Sequence, residues 1–587
     1  MHDVMNRLAG MSLVRVAAVL LAAWTAACAP VHPPVNAPAA RQTVASAAPP
    51  AAPVAGVAAA NPLAVDAGIE ILRKGGSAVD AAVAIQSVLG LVEPQSSGLG
   101  GGGFLLYYDA ATKKITAFNG REAAPKGATP GMFLDDKGEP LSYRDAVISG
   151  RSTGVPGAIV MLGAAHARFG VLPWAKLFDP AIRDAEDGVA VPKRMARFVN
   201  GDSPQASQPD VRALFSRPDG SPLQAGDSFR NPAYAATLRR IASQGPRTLL
   251  QPPLRDEIIS RTHAEPRPGT LAAADFDAYQ PTVSEPVCGP YLAVLVCVPP
   301  PPSSGVSLLQ VLAILDRTDI ATRGPGDPQA WYLFAMASRL MYADRDQFVA
   351  DPEFIPVPVQ GMLEPHYISR RAELIGEVPG PAPKPGEPAS IQRGADATRE
   401  AAGTSHFVVI DHDGNIVSMT TTVESLFGSG RAVGGFMLNN QLTDFSFRPE
   451  ADGKPVANAV AGGKRPRSSM VPVIVLDASG RAVAALGSPG SSSILAYDAK
   501  TIVGLFAWKL PLQEAINLPN VIARGDEYYG EVPKLPPGVA DALAARGVVV
   551  KSGRGEESGL HGLVVDAHGV ASGAADPRRE GAWKTLP

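Results

Sequence analysis

The sequence predicts a mixed α/β chain, and three observations carry that expectation. Segments with helical apolar spacing alternate with segments of strand spacing, a hairpin signal stands two thirds of the way along, and 587 residues at 45% apolar and 19% charged content provide for one large or two ordinary domains. "PLAVDAGIEILRKGG" from Pro62 and "AVDAAVAIQSVLGLVEP" from Ala78 read as helices ended by Gly or Pro, whereas "GGGFLLYYDA" and "KITAFNG" read as strands. In the last third "VPVIVLDA" and "AVAALGSPG" return to strand spacing and "SSSILAYDAKTIVGLFAW" to helical spacing. Late strands are expected around "GVVVKSG" and "HGLVVDAHG". No internal repeat is present.

The N-terminus reads as targeting rather than fold. Arg7 and Arg15 precede "VAAVLLAAWTAA", a run too short to span a bilayer but of signal h-region length. Export to the periplasm is the expectation. Cys28 after "TAA" resembles a lipoprotein site, with Thr25 where Leu is usual, so a lipid anchor at Cys28 and simple cleavage near Ala27 or Ala29 both stay open. Residues 1–28 are thus the signal or lipoprotein-like segment, and 29–56, rich in Pro and Ala, a linker with nothing to bury.

Charge and cysteine narrow the function. A net charge of -3 without a long Lys/Arg run argues against nucleic acid and for a small-molecule ligand. With no HExxH, no CxxC and nine scattered His, neither a metal nor another cofactor is expected. Cys288 and Cys297 flank "GPYLAVLV", where two short strands turn back on each other. A disulfide and two separate buried thiols both fit, because the strand register decides.

Two short motifs are set aside. "GLGGGG" (Gly98 to Gly103) satisfies GxGxxG but follows a helix and opens a strand, the reverse of a dinucleotide site. "GRSTG" (Gly150 to Gly154) satisfies GxSxG around Ser152, yet Pro156 delays the helix that should start behind a nucleophile, so a structural turn is preferred.

The decisive stretch is "GTSHFVVIDHDGNIVSMTTTVESLFGSG" from Gly403. "SHFVVI", "DHDGN" and "IVSMTTTV" read as strand, tight Asp-Gly turn and strand, with Thr404 at the mouth of the hairpin. Before it lies "GEVPGPAPKPGEPASIQRGADATREAA", whose Pro, Ala and charge predict a solvent-exposed loop. A Thr hydroxyl there can attack the Gly403 carbonyl, and hydrolysis of the ester leaves Thr404 as a new N-terminus. Its hydroxyl then has its own α-amino group as base, and that amine titrates near neutral pH.

The company Thr404 keeps is specific. "TSHFVVIDHDGN", "FGSG", "LNNQLTDFS", "GKRPRSSMVP", "GSPG" and "ADPR" downstream, and "GGSAVDAAVA", "GLGGGGF", "GREAAP", "TGVPG", "PPPSSG" and "ADRDQFVADPEF" upstream, resemble in order the γ-glutamyltransferase family of N-terminal-nucleophile hydrolases. The resemblance runs from Val57 to the C-terminus. It implies a four-layer αββα sandwich, made as one precursor and cut into a large subunit, 57–403, and a small subunit, 404–587, that stay associated as one domain.

It also implies roles. Thr404 matches the nucleophile and Thr422 the Thr that orients it; Gly490 and Ser491 match the Gly pair that supplies oxyanion N–H groups. Arg121 matches the holder of the substrate α-carboxylate, a task suited to a planar bidentate donor, with Ser468 and Ser469 as the hydroxyl pair on the same group. Asp444 matches the partner of the α-ammonium, Gln441 lines that end, and Glu424 stands where many members carry Asn. Arg121 is thereby expected at one end of the pocket and Asp444 with Glu424 at the other. Ser491 departs from the family Gly and serves as a donor only if its φ is tolerable. "GSGRAVGGFMLNNQ" is shorter than usual, and the lid segment "FRPEADGKPVANAVAGG" is atypical. The implied reaction is γ-glutamyl transfer from an amide such as glutathione to water, amino acids or peptides. The alternatives are a cephalosporin or glutaryl acylase of the same fold, and an uncut, inactive exported binding protein.

Overall fold

The computed structural model describes residues 54–391, 393–398, 400, 403–553 and 557–586. The signal, Cys28 and nearly all of the linker lie outside the described residues.

The hairpin forms because its turn is locally determined. Asp411 Oδ1 accepts from the backbone N–H groups of Asp413 and Asn415 at 3.0 and 2.9 Å, Gly414 takes φ +82°, and Ile410 is paired with Ile416. The turn is anchored as well, since Asp411 Oδ2 accepts from Ala78 N at 3.0 Å and so ties it to the start of the helix Ala78–Val92. Strands Ser405–Ile410 and Ile416–Thr422 are buried along their whole length. Their alternation feeds two cores: Phe407, Val409, Val417 and Met419 face one, Val408, Ile410 and Ile416 the other.

These strands sit in the middle of a seven-stranded sheet ordered Ala582–Leu586, Ala55–Ala59, Ser405–Ile410, Ile416–Thr422, Gly102–Asp109, Lys114–Asn119, Thr282–Ser284. A six-stranded sheet runs Ala571–Ala575, His561–Val565, Ala482–Gly487, Val473–Leu476, Val294–Val298, Val287–Tyr291. Neighbours in both sheets are antiparallel. The sheets meet through Val408, Ile410, Ile474 and Leu563. Helices Pro62–Arg73 and Ala78–Val92 cover the outer face of the first, and Gly305–Leu315, Pro328–Phe348 and Ile494–Ile502 that of the second. The result is a four-layer αββα sandwich.

Several local expectations are resolved. Cys288 and Cys297 are directly opposed on adjacent strands and form a disulfide, Cα–Cα 4.1 Å. "GVVVKSG" contributes only the two-residue strand Lys551–Ser552, and the helix in "SSSILAYDAKTIVGLFAW" ends at Ile502 in a π-turn over Val503–Ala507. Among its described residues the stretch before Thr404 has no helix or strand; its first part is exposed as expected, with Glu377 and Val378 at the surface, whereas near the cut Asp396 is buried and Glu400 is enclosed. These two acids are buried because counter-charges from Arg345 and Arg467 meet them. Among the described residues no helix is long and apolar enough to cross a membrane.

Candidate active site

The hairpin register brings the end of one strand beside the start of the other, pairing Thr421 with Ser405. Thr404 Oγ1 and Thr422 Oγ1 therefore stand 3.3 Å apart. Glu424 N donates to Thr422 Oγ1 at 2.7 Å, which leaves the Thr422 proton to be given to the Gly403 carbonyl oxygen. Thr404 Oγ1 donates to the same oxygen at 2.5 Å. Two hydroxyls thus polarise the carbonyl that precedes Thr404. Gly403 is required by packing, since a Cβ there would lie 2.4 Å from the Glu424 carbonyl oxygen and 2.9 Å from Ser425 C.

Of the ten residues the family motifs single out, nine (Arg121, Thr404, Thr422, Glu424, Gln441, Asp444, Ser468, Ser469 and Ser491) line one small cavity. Gly490 borders the adjoining, larger cavity. The charges are not arranged as expected, however. Arg121 and Asp444 are not at opposite ends but paired, Nη2 to Oδ2 at 2.5 Å, with Gln441 Nε2 donating to the same Asp444 oxygen at 2.8 Å. Arg121 also donates to the carbonyls of Pro466 at 3.1 Å and Arg467 at 2.7 Å. Both groups are buried, and each is the other's counter-ion. Glu424, the second acid, accepts from the Tyr143 hydroxyl at 3.0 Å and from Asn440, and it is hydrogen-bonded to Asp444, so the two acids stand together as expected.

The serine pair is clamped from beneath. Ser304 N and Oγ donate to the Ser468 carbonyl at 2.8 and 2.7 Å, and Ser303 Oγ donates to the Met470 carbonyl at 2.8 Å, which accounts for "PPPSSG". Ser469 Oγ accepts from Arg345 Nη2 at 2.5 Å and donates to Glu400 Oε2 at 2.5 Å. Gly490 and Ser491 open a 3₁₀ turn that runs into the helix Ile494–Ile502. A Cβ on Gly490 would lie 2.4 Å from Tyr497. Ser491 adopts φ +59°, so the non-Gly residue is accommodated in a left-handed conformation, and its Oγ donates to the Glu400 carbonyl at 2.6 Å. Glu424, at φ +80°, is a second non-Gly residue so held at the site, a concentration typical of functional loops.

The motifs set aside are structural. A Cβ on Gly101 would lie 1.9 Å from the Thr422 carbonyl oxygen, so the glycine run is the surface on which the end of the strand Ile416–Thr422 rests. Ser152 is fully buried, its hydroxyl bonded to the carbonyls of Val147 and Ser149. Among the described residues no cluster of three or more His, Cys, Asp or Glu is arranged to hold a metal. Sequence reasoning did not single out Glu400, Arg345, Arg467 or Tyr143. Arg345 and Arg467 stand inside the quoted motifs "ADRDQF" and "KRPRSSM", which was the available signal; Glu400 had none.

The family described as Gamma-glutamyltranspeptidase matches residues 64–586. The chain is 35% identical over 539 residues to the Glutathione hydrolase proenzyme of Bacillus subtilis (strain 168), covering 90% of each. It is 33% identical over 538 residues to the Glutathione hydrolase proenzyme of Escherichia coli (strain K12), covering 89% of this chain and 90% of that one. Among solved structures the cephalosporin acylase from Bacillus halodurans superposes with TM-score 0.78 at 26% identity, over 91% of this chain and 96% of that one.

Proposed function

The chain belongs to the γ-glutamyltranspeptidase family, and we propose that it is a self-cleaving γ-glutamyl hydrolase and transpeptidase acting on γ-glutamyl amides such as glutathione. The observation that carries this reading is the convergence of the Thr404 and Thr422 hydroxyls on the Gly403 carbonyl beside a pocket holding a buried Arg–Asp pair.

Maturation begins when Thr404 Oγ bonds to the Gly403 carbonyl carbon. The C–N bond breaks and the hydroxyl proton passes to the Thr404 nitrogen. Water then hydrolyses the ester, giving a Gly403 carboxylate and a free Thr404 α-amine. That amine, with an ordinary pKa of about 7.7–8.0, accepts the hydroxyl proton as Thr404 Oγ attacks the γ-carbonyl of a substrate. The Gly490 and Ser491 N–H groups stabilise the oxyanion, an effect typically of about a hundred- to a thousandfold per donor. The amine leaves with a proton, and water or an acceptor amine takes the γ-glutamyl group from Thr404.

Recognition follows from the paired charges. A zwitterion inserted between Arg121 and Asp444 gives each a new partner: Arg121, Ser468 and Ser469 hold the α-carboxylate, while Asp444, Glu424 and Gln441 hold the α-ammonium. An acylase reading, favoured by the cephalosporin acylase likeness, leaves the two acids without a role, because a glutaryl group has no amine. The test is release of a chromogenic amine from a γ-glutamyl anilide, with and without a dipeptide acceptor, beside the glutaryl anilide. An uncut single band on a gel would instead favour the binding-protein alternative. In the same reading residues 1–28 export the chain to the periplasm, where the Cys288–Cys297 disulfide is stable. Cell fractionation tests this, and mass spectrometry of the processed N-terminus separates a lipid on Cys28 from simple cleavage.

A further inference from the structure

The uncut chain carries a carboxylate of its own into the cavity. Glu400, three residues before Gly403, has a side chain only 5% exposed. Its Oε1 accepts from Arg345 Nη2 at 2.5 Å, with Arg467 Nη2 3.5 Å away, and its Oε2 accepts from Ser469 Oγ at 2.5 Å. Burial pushes this carboxyl up, but the two guanidinium groups outweigh it and hold it below the usual carboxylate range.

The direction of the Ser469 proton follows from Arg345. A hydroxyl has one proton, and Ser469 Oγ already accepts from Arg345, so the proton points to whatever anion lies opposite. Arg345 is itself fixed, its Nε donating to Ser304 Oγ at 2.8 Å. Charge balance points the same way. Arg345, Arg467 and Arg524 face Asp346, Asp396 and Glu400 in one linked cluster. Remove Glu400 and three guanidinium groups face only Asp346 and Asp396, an excess of buried positive charge that favours another anion.

We infer that Arg345 and Ser469 form a carboxylate subsite of the donor pocket, filled by Glu400 in the uncut chain and by the α-carboxylate of the γ-glutamyl group once the chain is cut. This rests on the function proposed above. Glu400 and the α-carboxylate of glutamate are the same chemical group, and Glu400 belongs to the chain that cleavage separates from Thr404. Before the cut the carboxylate is held from both sides and competes with any substrate from within the molecule; after it, Glu400 is held from the upstream side alone and can leave the subsite. Arg345 is thereby a second guanidinium on the substrate beside Arg121.

The experiment uses the full chain held uncut by Thr404→Ala, titrated calorimetrically with L-glutamate, against the same chain carrying Glu400→Gln. The Gln chain should bind at least about tenfold tighter, because a site blocked most of the time loses affinity by its open fraction. Adding Arg345→Lys should remove that gain. Equal affinity of the two uncut chains overturns the inference. A second arm is independent of Glu400: in the cut enzyme, Arg345→Lys should raise KM for a γ-glutamyl anilide by about tenfold or more with kcat near wild type. A fall in kcat with KM unchanged would show that Arg345 only supports the fold, and overturns it as well. A wild type inactive on the anilide refutes the proposed function itself, whereas an active wild type with equal glutamate binding by the uncut chains refutes this inference alone.

Discussion

On the two sides of the Gly403–Thr404 bond the chain is held by different forces. Downstream, Ser405–Ile410 is laddered on both edges, to Ala55–Ala59 and to Ile416–Thr422, so its position is set by backbone hydrogen bonds at the centre of a sheet. Upstream, the described residues from Gly394 to Glu400 make few backbone bonds, such as Gly394 N to Pro455 O and Asp396 N to Asp346 O. It is held chiefly by charge: Asp396 to Arg467 at 3.1 Å, and Glu400 to Arg345. The difference teaches how one bond serves maturation and catalysis in turn. The half that must present a hydroxyl in fixed geometry is rigid, and the half that must give way is attached by contacts another anion can replace.

The largest effect should come from removing the hydroxyl at the boundary. Thr404→Ala should remain a single chain on a denaturing gel and show no turnover, while Thr404→Ser should still be cut, more slowly. Mass spectrometry of the small chain should find Thr404 at its N-terminus. A fully active, uncut wild type would sink the mechanism.

Next in size is the recognition pair. Losing one member of a desolvated charge pair costs about 2–5 kcal/mol, so Asp444→Ala should lower kcat/KM for a γ-glutamyl anilide steeply, mainly through KM. The wild type should discriminate strongly against the glutaryl anilide. If it cleaves both equally, the ammonium site is unused and the acylase reading replaces the transpeptidase one.

A smaller effect tests the upstream side without touching the hydroxyl. Gly403→Ala puts a Cβ 2.4 Å from the Glu424 carbonyl. Overpacking of this kind costs about 1–3 kcal/mol, which should slow self-cleavage by about ten- to a hundredfold. Cleavage at the wild-type rate, followed on a gel, would show that the strand yields.

Smaller still is Ser491→Gly. It relieves a left-handed conformation worth about 1 kcal/mol but loses the Ser491 Oγ bond to the Glu400 carbonyl, so activity should stay within about threefold of wild type. Ser491→Pro is a poorer probe of the N–H, because proline cannot adopt φ +59°. A large loss in the Gly variant would give the side chain a role in the reaction.

The smallest effect on turnover, read in stability instead, lies beneath Arg121. Burial pushes the Glu122 carboxyl from 4.5 up to about 8 against the pull of Arg121. Between those values the folded chain keeps a proton that the unfolded chain has lost, so this group's contribution to stability falls as pH rises. Glu122→Gln should gain Tm relative to wild type more at pH 8 than at pH 5. An equal difference at both would show that Glu122 is ionised throughout.

Much of the site was legible because its residues stand in ordered motifs. Thr404, Thr422 and Ser469 were named from their neighbours in sequence, and the sheet register brings them to one cavity. What was not legible is how the charges pair. Arg121 and Asp444 are 323 positions apart, and whether they oppose or neutralise each other depends on where the turn Gln441–Asp444 is placed. Glu400 stood in a Pro-rich, polar stretch, where burial is unfavourable unless counter-charges are supplied, and its counter-charges lie at Arg345 and Arg467.

By itself the sequence determined the elements whose causes are local: the Asp-Gly hairpin, the period-2 strands, the capped helices and the glycine before Thr404. Only the tertiary structure decided the bridging of Cys288 to Cys297, the direct pairing of Arg121 with Asp444, and the seating of Glu400 on Arg345 and Ser469. The reason is physical. Periodicity and turn chemistry act over a few residues of chain, whereas the energy of a buried charge or a disulfide depends on distances that exist only after the sheets have packed.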